Sequence, residues 1–235
     1  MDYSFEGQEA QNPNCIDPVI EWCIKHVDHD DIFVDAGAHI GRSCIPVMKE
    51  KKPIHSILIE AVPPSVARLR KNVEEFVGGK AYEIVAKVLW DSEGEIDFTY
   101  NPESPIQSSV FDRFTANKES VIHTMLPSTT LDSLLEKHTG IKDNKIVIKM
   151  DIELSEWWAW QGMKKNLYRV KAVCMEFMPS ILIDAKIRAK DFIQEIQNDG
   201  FEVLKLDGTY PSEQELYSPE GSKIDIYLRN VKVVN

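Results

Sequence analysis

The sequence predicts an α/β protein built on an open, mostly parallel, doubly wound sheet with helices on both faces, in three layers. Three observations lead there. Short apolar strands alternate with helical apolar stripes along most of the chain, several strands end on an acidic residue, and the first runs straight into a glycine-containing turn that opens a helix. A chain of 235 residues has room for one substantial domain, which buries roughly 70% of the surface that the unfolded chain exposes. No Pro, Gly or Ser tract is long enough for a linker, so residues 1–31 are expected as an N-terminal helical extension packed on a main domain at 32–235.

In chain order, Ile16, Val19, Ile20, Cys23, Ile24 and Val27 form a helical stripe. Ile32–Ala36 follows as a buried strand, then the turn Asp35–Gly41, then a helix carrying Ile40, Cys44, Val47 and Met48. Ile57–Ile59 is the second strand and Glu60 marks its end. Pro63 and Pro64 start a helix whose face is Val66, Leu69, Val73 and Phe76, because proline is suited to a first helical turn. Tyr82–Leu89 reads as a third strand, Asp91–Gly94 as a turn and Glu95–Tyr100 as a short alternating strand.

Asn101–Thr129, broken by Pro102, Pro105 and Pro127, is expected to be a functional loop insertion. Thr130 can cap a helix over Leu131–His138. Ile146–Met150 is then a strand ending at Asp151, Trp157–Leu167 a helix and Val170–Phe177 a strand. A long helix is expected on the stripe Leu182, Ala185, Ala189, Phe192 and Ile196. Phe201–Leu206 and Ile224–Leu228 are the last strands, with an antiparallel addition expected at this end of the sheet.

A formal net charge of −11, with eight acidic residues against Lys25 alone in segment 1–31, opposes nonspecific binding to a nucleic-acid backbone. Cys15, Cys23, Cys44 and Cys174 contain no CxxC pair. The start Met1–Gln11 lacks the basic and apolar regions of a signal peptide, and no apolar run of about 20 residues is found to span a bilayer. The expectation is a cytoplasmic or other reducing, soluble compartment, without membrane or nucleic-acid partners.

Candidate function centres on Asp35-Ala36-Gly37-Ala38-His39-Ile40-Gly41. Small residues there let backbone amides approach a ligand where a helix begins, although a plain tight turn has the same composition. The two glycines fall short of a full dinucleotide fingerprint. Glu60 lies at the end of the next strand, where a carboxylate can accept from both hydroxyls of a ribose or stand as a surface charge.

These segments, with Ile59-Glu60-Ala61-Val62-Pro63, the Val85-Ala86 strand leading into Asp91-Ser92-Glu93-Gly94, Ser108-Ser109, Thr130-Leu131-Asp132 and Ile148-Lys149-Met150-Asp151-Ile152-Glu153, resemble the FkbM family of S-adenosylmethionine-dependent methyltransferases over roughly Ile32–Phe177. The resemblance implies a Rossmann-like class I methyltransferase fold and S-adenosyl-L-methionine as cofactor. It also implies that Asp35 and the turn through Gly37, Ala38, His39 and Gly41 embrace the amino-acid part of the cofactor, that Glu60 binds its ribose, that Ala86 lies at the adenine, and that Asp151 faces the sulfonium. The sequence departs from the family's common pattern at His39, where asparagine is usual, and at Leu154, where glycine commonly follows the acidic pair.

Methyl transfer to an alcohol requires orientation of the acceptor and removal of its proton, which makes Asp151 and Glu153 the candidate catalytic residues. Both also suit a strand-to-helix junction. At least one of Trp157, Trp158 and Trp160 is assigned to the core, with substrate stacking as the alternative, Glu176 is a further cleft candidate, and His39 and His123 are read as structural and loop residues. The six histidines form no HExxH pattern, so no catalytic metal is expected. The expected activity is O-methylation of a small molecule or carbohydrate. The alternatives are a noncatalytic methyltransferase-like module that binds a protein partner and, less favoured, a nicotinamide dehydrogenase.

Overall fold

A computed structural model of the chain describes residues 17–79, 81–101, 110, 121–138, 141–179, 186–218 and 223–233. The strands, in chain order, are β1 (Ile32–Ala36), β2 (His55–Ile59), β3 (Tyr82–Val85), β4 (Val88–Leu89), β5 (Gly94–Tyr100), β6 (Ile122–Thr129), β7 (Ile146–Met150), β8 (Val170–Phe177), β9 (Phe201–Lys205) and β10 (Ile224–Asn230). Seven of them form one sheet in the order β3-β2-β1-β7-β8-β10-β9. β3, β2, β1, β7 and β8 run parallel, while β10 lies antiparallel between β8 and β9. The expected doubly wound sheet is therefore present, with the antiparallel strand at the predicted end of the chain.

Continuous apolar runs make the central strands because both sheet faces are covered. In β1 alternation sends Ile32, Val34 and Ala36 to one apolar layer and Phe33 to the other. The first layer packs under α4 (Leu131–Glu136), α5 (Glu156–Gln161) and α6 (Ala189–Asn198), through Leu134, Trp160 and Phe192. The second packs under α1 (Pro18–His26), α2 (Cys44–Lys51) and α3 (Pro63–Phe76), through Trp22, Val47 and Leu69. Asp17 caps α1 by accepting from the Val19 amide at 2.9 Å. Thr130 caps α4, its hydroxyl accepting from the Ser133 amide at 3.0 Å. A last short helix, α7 (Glu213–Tyr217), starts on a capping box made by Ser212 and Glu215.

Several boundaries differ from the sequence expectation. Tyr82–Leu89 is two strands, because the chain leaves the main sheet at Ala86 and Lys87. β4 joins a separate three-stranded sheet of order β4-β6-β5. The expected loop Asn101–Thr129 ends in β6, which pairs along the whole of β5 from Gly94↔Ser128 to Tyr100↔Ile122. The tryptophan helix stops at Gln161, and Leu167–Arg169 is a 3-10 turn. α6 begins at Ala189, and Leu182, Ala185 and the Ser108-Ser109 pair lie outside the described residues. Cys23, Cys44 and Cys174 are free and buried, and no helix among the described residues is long and apolar enough to cross a membrane.

The tryptophans hold α5 to its neighbours. Trp160 is fully buried, meets Phe192 and Phe201 edge-on at 6.5 and 5.2 Å, and donates its indole N–H to Asp199 at 2.8 Å. Trp157 sits edge-on to Phe192, and Trp158 stacks on Trp90 at 4.5 Å and 9°. Each indole thus has an aromatic partner within the fold. Trp160→Ala is expected to cost about 3–5 kcal/mol by opening a cavity, Asp199 keeping its ion pair with Lys164. Urea unfolding monitored by circular dichroism measures it.

Candidate active site

The chain leaves β1 toward β2 and β3 and later returns on β1's other side as β7. The loops after β1 and β7 therefore part in opposite directions, which opens a crevice beyond their carboxyl ends. The two loops touch at Gly37. Its φ is +81°, and a Cβ there would lie 1.8 Å from the Asp151 carbonyl oxygen, so no other residue fits. The Asp151 amide in turn donates to the Ala36 carbonyl at 3.1 Å.

The amides of the glycine turn are turned inward, against the expectation that they face a ligand. Those of Gly37 and Ala38 donate to the Ile59 carbonyl at 2.9 and 3.0 Å, and that of His39 donates to Glu60 Oε2 at 2.9 Å. The small residues serve this stitching of the turn to the end of β2. Gly41, at φ +96°, serves packing, since a Cβ there would stand 2.7 Å from Ile45. His39 adopts φ +48°, a left-handed conformation that asparagine and glycine take with less strain than most residues.

Asp35 is completely buried and is not itself in the crevice wall. It lies opposite Lys149 in the β1–β7 register, with Lys149 Nζ 3.3 Å from its Oδ1 and the Ser43 hydroxyl donating to its Oδ2 at 2.5 Å. Lys149 also donates to the Gly37 carbonyl at 2.9 Å and stands 3.7 Å from Asp151. Burial works against the Lys149 ammonium, but the carboxylates of Asp35 and Asp151 outweigh it and hold the group protonated above the usual lysine range. Asp35 therefore meets the crevice through Ser43 and Lys149, both of which line it. The strand motif contained Lys149, yet sequence reasoning gave it no role; its signal was one cation inside the apolar run of β7.

The crevice is a cavity of about 530 Å³, of a size that takes a cofactor or drug-sized ligand. Glu60 stands in its wall, almost fully buried, with Oε1 accepting from the Val62 amide at 2.8 Å and Oε2 from His39. Burial raises its pKa, and the two amides oppose the rise. Each oxygen keeps a lone pair for a further donor. Beside it Val62, Val88, Leu89 and Phe98 give an apolar wall. Ala86, expected at the adenine, is exposed at the turn between β3 and β4 and is absent from the wall; the next residues, Lys87–Leu89, line it instead.

The opposite wall carries Asp151, Glu153, Glu176 and Asp225. Carboxylate oxygens of Asp151, Glu153 and Glu176 all lie within 4.8 Å of one another. Burial, then Glu176 and Asp151, push Glu153 up to about 7. Burial and Asp151 raise Glu176 against the pull of Lys223, with which it is ion-paired. Behind the wall Glu156 accepts from the Ile152 amide at 3.0 Å, and burial pushes it up to about 8. The structure thus brings Asp151, Glu153 and Glu176 together with Glu60, Gly37, Ala38 and His39 around one cavity, and adds Lys149, Lys223 and Asp225. The last two belong to the antiparallel end of the sheet, which carries no motif. His123 lies across the second sheet, paired with Thr99 at 3.1 Å.

No curated protein matches the chain by sequence. Among solved structures the fold is similar to Sp1610 of Streptococcus pneumoniae (13% identity, TM-score 0.49, 92% of this chain and 71% of that one). It is also similar to SMU.1697c of Streptococcus mutans in complex with SAH (11%, 0.48, 92% and 99%). A third is the precorrin-6y C5,15-methyltransferase of Geobacter metallireducens (11%, 0.45, 96% and 95%). The family model described as the methyltransferase FkbM domain matches residues 35–206, which contain the glycine turn, Glu60, Lys149 and, of the acidic wall, Asp151, Glu153 and Glu176. By that match, over most of its length, the chain belongs to the FkbM-domain family of S-adenosylmethionine-dependent methyltransferases.

Proposed function

We propose that the chain transfers a methyl group from S-adenosylmethionine to a hydroxyl of a small molecule or carbohydrate. The observation that carries this reading is Glu153, a carboxyl pushed up to about 7 by burial and two neighbouring acids, in the same cavity as Glu60. An alcohol must lose its proton as it attacks, and a base whose pKa lies near the working pH removes it best. The bound cofactor supplies an electrophilic methyl group on a positively charged sulfur.

Every further part of the scheme is assigned to this chain's own groups. Glu60 has lone pairs left to accept from ribose hydroxyls, and its negative charge disfavours a phosphorylated ribose. The wall of Val62, Val88 and Phe98 suits a purine face. Asp151, next to the Gly37 turn, supplies negative charge for the cationic end of the cofactor, while Lys149 fixes both loops from below. Glu153 takes the acceptor's proton, and Glu176 and Asp225 offer acceptors for the other hydroxyls of a polyol.

Two outcomes are expected. Glu60→Ala weakens binding of S-adenosylmethionine and SAH by about 10–100-fold, as loss of one or two charge-assisted hydrogen bonds requires. Calorimetry reads this, with circular dichroism confirming the fold. For catalysis the sign follows from the raised pKa. Glu153 holds its proton below about pH 7 and is a base only above it. Turnover of hydroxylated small molecules and free sugars, followed with methyl-labelled donor, should climb about tenfold per pH unit below that point and level off above it. Glu153→Gln should lose this limb and about 10²–10⁴ in rate. A label found only on nitrogen or carbon acceptors, or a rate in Glu153→Gln equal to wild type, would overturn the proposal.

A further inference from the structure

A second constellation lies at the other end of the sheet. His55 opens β2, whose far end leads into Glu60, so about 17 Å of strand separates the two. In the β2–β3 register Ile57 stands opposite Glu83. Side chains alternate along a strand, so His55, Ile57 and Glu83 share a face. Ile57 belongs to the apolar layer that contains Leu131, Leu134 and Leu135 of α4, so this is the face that α4 covers. His138, just beyond α4, is thereby delivered over His55 and Glu83. Its backbone is fixed on both sides, the amide donating to Leu135 at 3.1 Å and the carbonyl accepting from Ile141 at 3.2 Å.

The three side chains converge. His138 Nε2 is 2.9 Å from Glu83 Oε1, and the rings of His55 and His138 are 4.5 Å apart. One ligand atom from each residue lies within 4.8 Å of the other two. His55 Nε2 is buried and has no hydrogen-bond partner, an arrangement that protein interiors seldom leave without a ligand, water or ion.

We propose that His55, Glu83 and His138 bind a borderline transition-metal ion of the Zn(II) class, at a site separate from the crevice. Two imidazole nitrogens and one carboxylate oxygen form a donor set that suits zinc, copper or nickel and does not suit magnesium or calcium. Ligand atoms around tetrahedral zinc are about 3.4 Å apart, which rotation of these half-buried side chains can reach from the present spacing. Three protein ligands leave a fourth position for water or another donor. The ion would tie edge strand β3 to β2 and to the end of α4. The paired His138 and Glu83 alone would tie only two of them.

The test uses the full chain stripped with a chelator and titrated with Zn(II). Calorimetry should show saturable binding, and long-range nitrogen–proton NMR should show the ring resonances of both His55 and His138 shifting with it. His55→Ala and His138→Ala should each weaken binding by at least about 100-fold, more than is typical for groups that only support a ligand. Glu83→Gln should weaken it by about tenfold or more, whereas Glu153→Gln, in the acidic wall, should leave the imidazole response to Zn(II) unchanged. Absence of binding to the wild-type chain, or binding without a response from both imidazoles, would overturn the proposal whether or not the variants fold. Neither result bears on methyl transfer.

Discussion

The buried pairing of Asp35 with Lys149 is the contact on which the crevice depends. The two residues face each other across the central strands β1 and β7, each almost or wholly out of water. Such a pair adds little net stability when intact, because desolvation consumes most of the Coulomb attraction; removing one partner strands a charge and costs about 3–5 kcal/mol. Its value here is positional. The Lys149 ammonium also reaches the Gly37 carbonyl and approaches Asp151, so one cation fixes the two loops whose divergence makes the cleft. Asp35, the acid near the end of β1, is consequently a buried support for the glycine turn.

The same cation explains how so many acids are tolerated at one edge of the cavity. Asp151, Glu153, Glu176 and Asp225 face a common space, with Lys149 and Lys223 as the cations beside them. Like charges in a poorly solvated wall cannot all ionise together at neutral pH, so the proton distributes to the groups least supported by cations. Glu176 is held by Lys223 and Asp151 lies near Lys149, which leaves Glu153 with a raised pKa caused chiefly by burial. A carboxyl titrating near neutrality thus arises from burial first and from Glu176 and Asp151 second.

Much of the main sheet was legible in the sequence because its central strands are buried on both faces and read as short apolar runs between helical stripes. β1, the turn through Gly41, Glu60 and β7 all follow that rule. Of the second sheet only β5 was legible, as the alternating run Glu95–Tyr100. β4 has two residues, and β6 contains Pro127 and four exposed positions, so neither length nor alternation marks them. The direction of Asp35 depends on a pairing register that apolar periodicity does not specify. The inward turn of the Gly37 and Ala38 amides depends on where β2 ends relative to β1. His55 and His138 meet only because β2, β3 and α4 are adjacent in space.

The path of the chain after β7 joins these points. Glu153 and Leu154 take φ values of +51° and +85° in succession, a reversal that brings the Glu153 carboxyl back toward Glu176 instead of letting it continue the strand. For residues with a side chain each such conformation costs on the order of 1–3 kcal/mol. A glycine at position 154, common in the family, would take that φ without the strain but would bury no side chain. Leu154 is nearly fully buried, and burying a leucine contributes about 1.5–3 kcal/mol, enough to offset the strain at its own position. The Ile152 amide bonded to Glu156 closes the turn from the other side. The departure from glycine therefore preserves the geometry of the acidic wall by a different balance of terms, with the backbone held in place by packing where glycine would have needed none.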